Sequence, residues 1–296
     1  MQKIIKKILT KILKHSVIEL SNKKEKISEK LVIHLGHVYK YKPVKGKAYQ
    51  YLLEIIENSL LYFPSPADLN DPEEGKPCLV IKDINDPVYR VQVEAWVRRC
   101  ISQRIPYPTE SEIQIELNGL TQKKVLSMVN KSSEEYQKAI NLRYGILSLS
   151  KSPSNRHLWE NYADNFNGVA IEFFIDSNFP PAYEMNYSDD DKLIDVTSLD
   201  DNEHLIQTVL VKREYWSQEK EVRIILGEPP INNSFTLINQ KYKFQDKYLT
   251  GIMIGYRVKK EIRNEILKIV KTKNHLVRCY VTFPIPWGSK VLLLKL

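Results

Sequence analysis

The spacing of charges in Trp216-Ser217-Gln218-Glu219-Lys220-Glu221-Val222-Arg223 is the most chemically pointed in the chain. On a strand, successive side chains alternate, so Glu219, Glu221 and Arg223 share one face while Val222 and Ile224 take the other. Two carboxylates on one face can stabilise a developing positive charge and can accept or return a proton. Three further segments are polar where packing alone would favour apolar residues. They are Tyr39-Lys40-Tyr41-Lys42, then Leu69-Asn70-Asp71-Pro72-Glu73-Glu74, then Gly145-Ile146-Leu147-Ser148-Leu149-Ser150, which is followed by Asn155, Trp159, Tyr162-Ala163, Gly168 and Glu172-Phe173. Ser148 and Ser150 share a strand face, as the glutamates do.

Each of these residues also has a plain packing account. Glu219, Glu221 and Arg223 can form an exposed polar strand face with a cross-strand ion pair worth ~0–1 kcal/mol. Trp159 and Tyr162, at i and i+3, suit a core stripe. Asn70-Asp71-Pro72 builds an Asx turn, or else brings Asp71, Glu73 and Glu74 to a metal or a guanidinium. The histidines (15, 34, 37, 157, 204, 275) form no metal-spaced set, and zinc needs three or four converging ligands. No Gly-rich phosphate loop, Gly-x-Ser-x-Gly elbow or His-Glu-x-x-His motif is present. No metal is therefore expected.

Taken in order, the four segments resemble the bacterial domain of unknown function 2971 family over residues 37–290. Its members look like Tyr-Lys-Tyr, then Asn-Asp-Pro-x-Glu, then Ser-Leu-Ser with Trp-x-x-Tyr-Ala and a Gly before an apolar strand, then Trp-x-x-Glu-x-Glu-x-Arg. The family has Arg where this chain has Lys42, and Met where it has Leu158. Lys42 cannot make the bidentate fork of an arginine. Three of the spots are also similar to the Arg/Ser-Thr-Ser/Glu-x-Glu pattern that the ADP-ribosyltransferase superfamily carries on a split β-sandwich.

That second resemblance implies NAD as substrate and cleavage of its nicotinamide–ribose bond through an oxocarbenium-like state. Glu221 would bond the ribose and Glu219 would orient an acceptor or act as its base. Ser148 and Ser150 would hold the ribose, and Lys42 would counter the pyrophosphate with Tyr41 and Arg223 nearby. Trp159 or Tyr162 would stack on nicotinamide. The implied function is ADP-ribosyl transfer to a protein or nucleic-acid acceptor, or NAD glycohydrolysis, in an intracellular toxin or phage-defence effector. The rival is a non-catalytic module that binds a ligand or partner. A third reading is a metal-dependent hydrolase using Asp71, Glu73 and Glu219.

Hydropathy periodicity supplies the elements that must position these groups. Short strands are expected at 38–41 and 60–63, with a helix from Ala48 to Asn58 between them. A mostly helical block spans about 85–142, with helices at 117–129 and 133–142. The remainder is strand-rich, at Tyr144–Ser148, Gly168–Phe174, Tyr183–Tyr187, Glu221–Leu226, Phe235–Ile238, Gly251–Ile254, Val277–Tyr280 and Val291–Leu294. Helices interrupt it near 156–163, 202–212 and 259–271. Helices and strands do not alternate regularly, so the expected class is α+β. Its core would be a mixed, mostly antiparallel sheet with a helical insertion. The expected organisation is a basic helical extension at 1–36 and one α+β domain at 37–296.

The 296 residues carry 44 Lys plus Arg against 36 Asp plus Glu, a net charge of +8. Residues 1–30 hold nine Lys and three Glu, so most of that excess is local. There Ile4, Ile5, Ile8, Leu9, Ile12 and Leu13 recur at helical spacing among lysines. This is the pattern of a helix that lies on a membrane surface, binds a partner, or packs on the body. A nucleic-acid-binding body is not demanded by the charge of the rest. No apolar run is long enough to span a bilayer. Three scattered cysteines exclude a disulfide framework and suit a reducing cytoplasm.

Overall fold

The computed structural model describes residues 32–33, 36–69, 78–190, 193–198, 209–227, 235–273, 276–286, 288 and 290–296. The basic segment at 1–31, the Asn70–Glu74 turn and most of the expected 202–212 helix lie outside them. In chain order the elements are β1 (Val32–Ile33), β2 (Gly36–Pro43), α1 (Gly46–Asn58), β3 (Leu60–Tyr62), β4 (Cys78–Val80), α2 (Pro87–Arg104), α3 (Glu110–Asn118) and α4 (Gln122–Arg143). They continue with β5 (Tyr144–Ser150), α5 (Arg156–Asn161), β6 (Gly168–Ile175), β7 (Ala182–Glu184), β8 (Asn186–Tyr187), β9 (Leu193–Asp195) and β10 (Val211–Lys212). The last are β11 (Glu221–Gly227), β12 (Lys241–Lys243), β13 (Leu249–Gly255), α6 (Lys260–Lys273), β14 (Arg278–Pro284) and β15 (Val291–Lys295).

The chain divides into two compact units. The first contains α2, α3 and most of α4, with the parallel ribbon of β4 and β9. Asp86 caps α2, accepting from the amides of Val88 and Tyr89 ahead of Pro87 at the first helical position. Thr109 and Glu112 form a reciprocal capping box on α3. Tyr89, Val93, Trp96, Val97, Leu117, Val125 and Val129 close this unit's core. Two helices were expected over 117–142, but α4 is one helix of 22 residues. The stretch Asn130–Ser133 has no Gly or Pro to break it, whereas Gly119 does end α3.

The second unit is built on a nine-stranded sheet in the order β1-β7-β11-β5-β2-β6-β13-β14-β15. All its pairings are antiparallel except β13 with β14, which α6 connects. The α+β class and the mixed, mostly antiparallel sheet therefore hold. Period-two alternation gives the sheet two buried faces. One face, with Val38, Leu147, Leu149, Ile171, Val222 and Ile252, packs with Leu52, Ile55 and Ile56 of α1 and with Ile266 and Val270 of α6. The other, with Tyr39, Tyr41, Ala170 and Met253, packs with Leu158 and Trp159 of α5 and with Phe166.

Three local expectations differ. The strand expected at Tyr183–Tyr187 breaks at Met185, because β7 pairs with β11 while β8 turns away to pair in parallel with β10. Phe235–Ile238 is not a strand. Ile238 makes only an isolated bridge to Lys241, and β12 beyond it pairs with β3. Glu219 lies outside the strand that carries Glu221. It ends a 3-10 turn over Glu214–Glu219, and Lys220 follows with φ of 48°. That left-handed residue swings the chain into β11, so alternation does not relate Glu219 to Glu221.

Candidate active site

β2 pairs with β6 along its whole length, from Gly36 opposite Ile175 to Pro43 opposite Gly168. Its pairing with β5 on the other side covers one position only, Tyr39 opposite Ser150. Past that point the sheet parts. The amide of Ile146 on β5 donates to the Pro64 carbonyl, from the loop after β3. The Ser148 carbonyl, where a continued ladder would meet a β2 amide, accepts the Lys40 ammonium at 2.8 Å.

A cavity of about 200 Å³ opens at this parting. Lys40 and Tyr41 of β2, Ser148 and Ser150 of β5, Tyr162 after α5, Lys212 of β10, Trp216 and Glu219 of the 3-10 turn, and Glu221 and Arg223 of β11 all border it. Pairing of β11 with β5 sets Glu221 opposite Ser150 and Arg223 opposite Ser148, so these four share a face.

The charges are buried and interlocked. Glu219, Glu221, Arg223 and Lys212 are each less than a tenth exposed. The Lys212 ammonium donates to Glu219 Oε2 at 2.7 Å and to Glu221 Oε2 at 2.9 Å. Arg223 Nε donates to Glu221 Oε1 at 2.8 Å, and the Tyr162 hydroxyl donates to Glu219 Oε1 at 2.6 Å. The Tyr187 hydroxyl accepts from the Glu221 amide at 2.8 Å, and the Ser150 hydroxyl donates to the Glu219 carbonyl at 2.8 Å. Lys212 also lies 4.7 Å from the centre of the Trp216 ring, a cation–π distance.

Burial shapes the acidities. It pushes the Glu221 carboxyl above the ordinary carboxylate range, against the pull of Lys212 and a hydrogen bond from Ser148. For Lys212 burial acts downward, but Glu221 and Glu219 together outweigh it and hold the ammonium above the ordinary lysine value. Burial, then Glu219, keeps the Tyr162 phenol protonated far above its usual range. Lys40 shifts the other way: burial, helped by Lys42, brings it down to about 7.

Of the residues expected from sequence, Tyr41, Ser148, Ser150, Tyr162, Glu219, Glu221 and Arg223 meet at the cavity. Lys42 and Trp159 do not border it. Lys42 lies over the Tyr51 ring at 5.3 Å. Trp159 is fully buried, stacks on Phe166 and donates its indole N–H to the Pro153 carbonyl at 3.0 Å. Lys40 takes the place expected for Lys42, because the parting of β2 from β5 opens beside Lys40. Sequence reasoning missed Lys212 and gave no role to Trp216. Lys212 sits in a two-residue strand whose flanks carry no distinguishing pattern, so nothing in the sequence marks it.

Glu172 forms a neighbouring polar knot on β6. It accepts from Thr250 Oγ1 at 2.6 Å, lies 3.1 Å from His37 Nδ1 and pairs with Arg278. Tyr39 links it to the cavity, bordering the one and hydrogen-bonding the other. Among the described residues no group of three or more His, Cys, Asp or Glu could hold a metal ion, and no helix is long and apolar enough to cross a membrane. Compared with protein-family models, curated proteins and solved structures, the chain matches none.

Proposed function

We propose that the cavity takes the reacting end of NAD and breaks the bond between nicotinamide and ribose, passing the ADP-ribosyl group to a protein or nucleic-acid acceptor or to water. One observation carries this reading. A basic residue from β2, a hydroxyl from β5 and a carboxylate from β11 converge where the sheet parts. The parting sheet supports a relation to the split sandwich of ADP-ribosyltransferases, and the order of segments supports the domain of unknown function 2971 family. A role as a toxin or phage-defence effector in the cytoplasm follows from those likenesses alone. A membrane or partner contact by the basic residues at 1–30 belongs to the same proposal.

In this reading the glycosidic electron pair leaves with nicotinamide, and the ribose acquires oxocarbenium character. Glu221, held by Lys212 and Arg223, lies against that charge. A fixed carboxylate in a water-poor site stabilises it more than solvent would. Glu219 accepts the acceptor's proton once its contact with Tyr162 or Lys212 yields. A cavity of about 200 Å³ is small beside the ~300–1,000 Å³ of ligand pockets. It would hold nicotinamide riboside, with the rest of the dinucleotide outside.

The binding-module reading is favoured by one observation: both oxygens of Glu219 and of Glu221 already accept from protein donors. NAD labelled in nicotinamide separates the two. Catalysis predicts nicotinamide release with at least one of three acceptors (water, protein, nucleic acid) and a fall of ~10²–10³-fold in Glu221→Gln. Saturable NAD binding without release would leave the module. Neither binding nor release would remove NAD from the account.

A further inference from the structure

Lys40 is set apart from the other cavity cations by its partner. Lys212 and Arg223 each meet a carboxylate, whereas Lys40 Nζ donates to a neutral carbonyl oxygen, that of Ser148. By strand alternation Lys40 belongs with Val38 on the face covered by α1, yet its amine borders the cavity because β5 has parted from β2 there. The charges that act on it are Lys42 on its own strand and Glu221 and Arg223 of β11, and Lys212 of β10 and Glu219 of the 3-10 turn border the same cavity. Asp68 of the loop after β3 and the phenols of Tyr39, Tyr41 and Tyr162 complete the set.

We propose that Lys40 is an amine nucleophile that captures a small hydroxylated aldehyde, such as an open-chain aldose, as an imine inside this cavity. The inference goes beyond NAD cleavage and does not rest on it. A lysine partly withdrawn from water at a cavity wall, beside a second cation, is a setting in which an amine is neutral and reactive near neutral pH. Here burial acts first and the Lys42 ammonium second, bringing Lys40 down to about 7. A neutral amine that gives one N–H to Ser148 still has its lone pair for a carbonyl carbon. The lining suits a polyol: the hydroxyl oxygens of Ser148 and Tyr162, whose protons go to Glu221 and Glu219, can still accept, and each carboxylate oxygen, bonded once, has a second lone pair for a sugar's hydroxyl groups.

The chemistry balances without an oxidant or reductant. The Lys40 lone pair forms an N–C bond as the carbonyl π pair moves to oxygen, and one proton passes from nitrogen to that oxygen. The resulting hydroxyl leaves as water with the second nitrogen proton, and the nitrogen lone pair closes the C=N bond. Glu221, which borders the same cavity, carries these protons once its contact with Lys212 or Arg223 yields. Amine and aldehyde thus become imine and water.

The test uses the full chain, ribose or glyceraldehyde, and cyanoborohydride to reduce any imine to a stable secondary amine. Adducts are mapped by peptide mass spectrometry from pH 6 to 10, with no NAD present. At pH 7 an ordinary lysine of pKa ~10.4 has under ~0.1% neutral amine. Lys40 is expected to carry at least ~10-fold more adduct than the mean of the other lysines, with half-maximal labelling near pH 7. Lys42→Met is expected to move that midpoint upward by removing the neighbouring ammonium. Labelling spread over surface lysines with Lys40 at or below the mean overturns the proposal, as does a Lys40 midpoint near 10. A failed NAD assay would leave this result untouched, and the reverse also holds.

Discussion

Lys212→Met tests whether the cavity's charges stand in the balance described above. Lys212 is 8% exposed, and its ammonium touches two carboxylates at 2.7 and 2.9 Å. Removing it leaves Glu221 with Arg223, while Glu219 keeps, among the described residues, the Tyr162 hydroxyl at 2.6 Å and the His157 ring nitrogen Nε2 at 4.0 Å. Glu219 is then a buried carboxylate without a lysine or arginine partner, and the cheapest response is to take a proton. From an ordinary carboxyl pKa of ~4.3, protonation at pH 7 costs about 4 kcal/mol. That agrees with the ~3–5 kcal/mol seen when one partner of a buried ion pair is removed.

The sign follows from proton counting. In the variant the folded state binds a proton that the unfolded state lacks between pH ~4.3 and 7, so stability falls as pH rises, by ~1.4 kcal/mol per unit. Urea unfolding of both proteins at pH 5.0, 6.0 and 7.5 would measure the gap. It should be about 1 kcal/mol at pH 5 and widen to roughly 4 kcal/mol above pH 7. A gap of constant size across that range, or none at pH 7.5, refutes the reasoning and would mean that solvent reaches Glu219.

A folded pKa near 7 against 10.5 unfolded means that Lys40 opposes folding fully below pH 7 and ceases to do so above 10.5. The stability of Lys40→Met should therefore exceed that of wild type at pH 6 by at most about 5 kcal/mol, an advantage that shrinks toward pH 10 in paired denaturant titrations. A Cβ on Gly255 would lie 2.1 Å from the Phe166 carbonyl oxygen, a backbone atom that cannot rotate aside. Gly255→Ala should lower stability by roughly 1–3 kcal/mol or more, read as a fall in urea midpoint. In the helical unit, Thr109→Ala removes half of a capping box and should cost ~1 kcal/mol. Circular-dichroism melts of Thr109→Ser should show most of that loss restored.

Several parts of this protein were already written in local order. The alternation Val38-Tyr39-Lys40-Tyr41, the i, i+3, i+4 spacing of Leu52, Ile55 and Ile56, and the apolar run of β6 need no distant partner to be read. The class, the main strands and α6 were legible for that reason. So was the meeting of Glu221 with Ser148 and Ser150, since polar residues on an otherwise buried strand must face something that satisfies them.

What sequence could not supply was anything decided by where a ladder stops. Lys40 and Lys42 are chemically alike and two residues apart. Only the single-position pairing of β2 with β5 makes one border the cavity while the other lies over Tyr51. Glu219 looked like a strand neighbour of Glu221, yet the left-handed Lys220 placed it on a separate turn. Lys212 had no local mark at all, because its partners come from segments that converge only in the folded sheet. Periodicity is a property of adjacent residues and survives in the bare chain, whereas the balance of a buried charge is a property of neighbours brought together by folding.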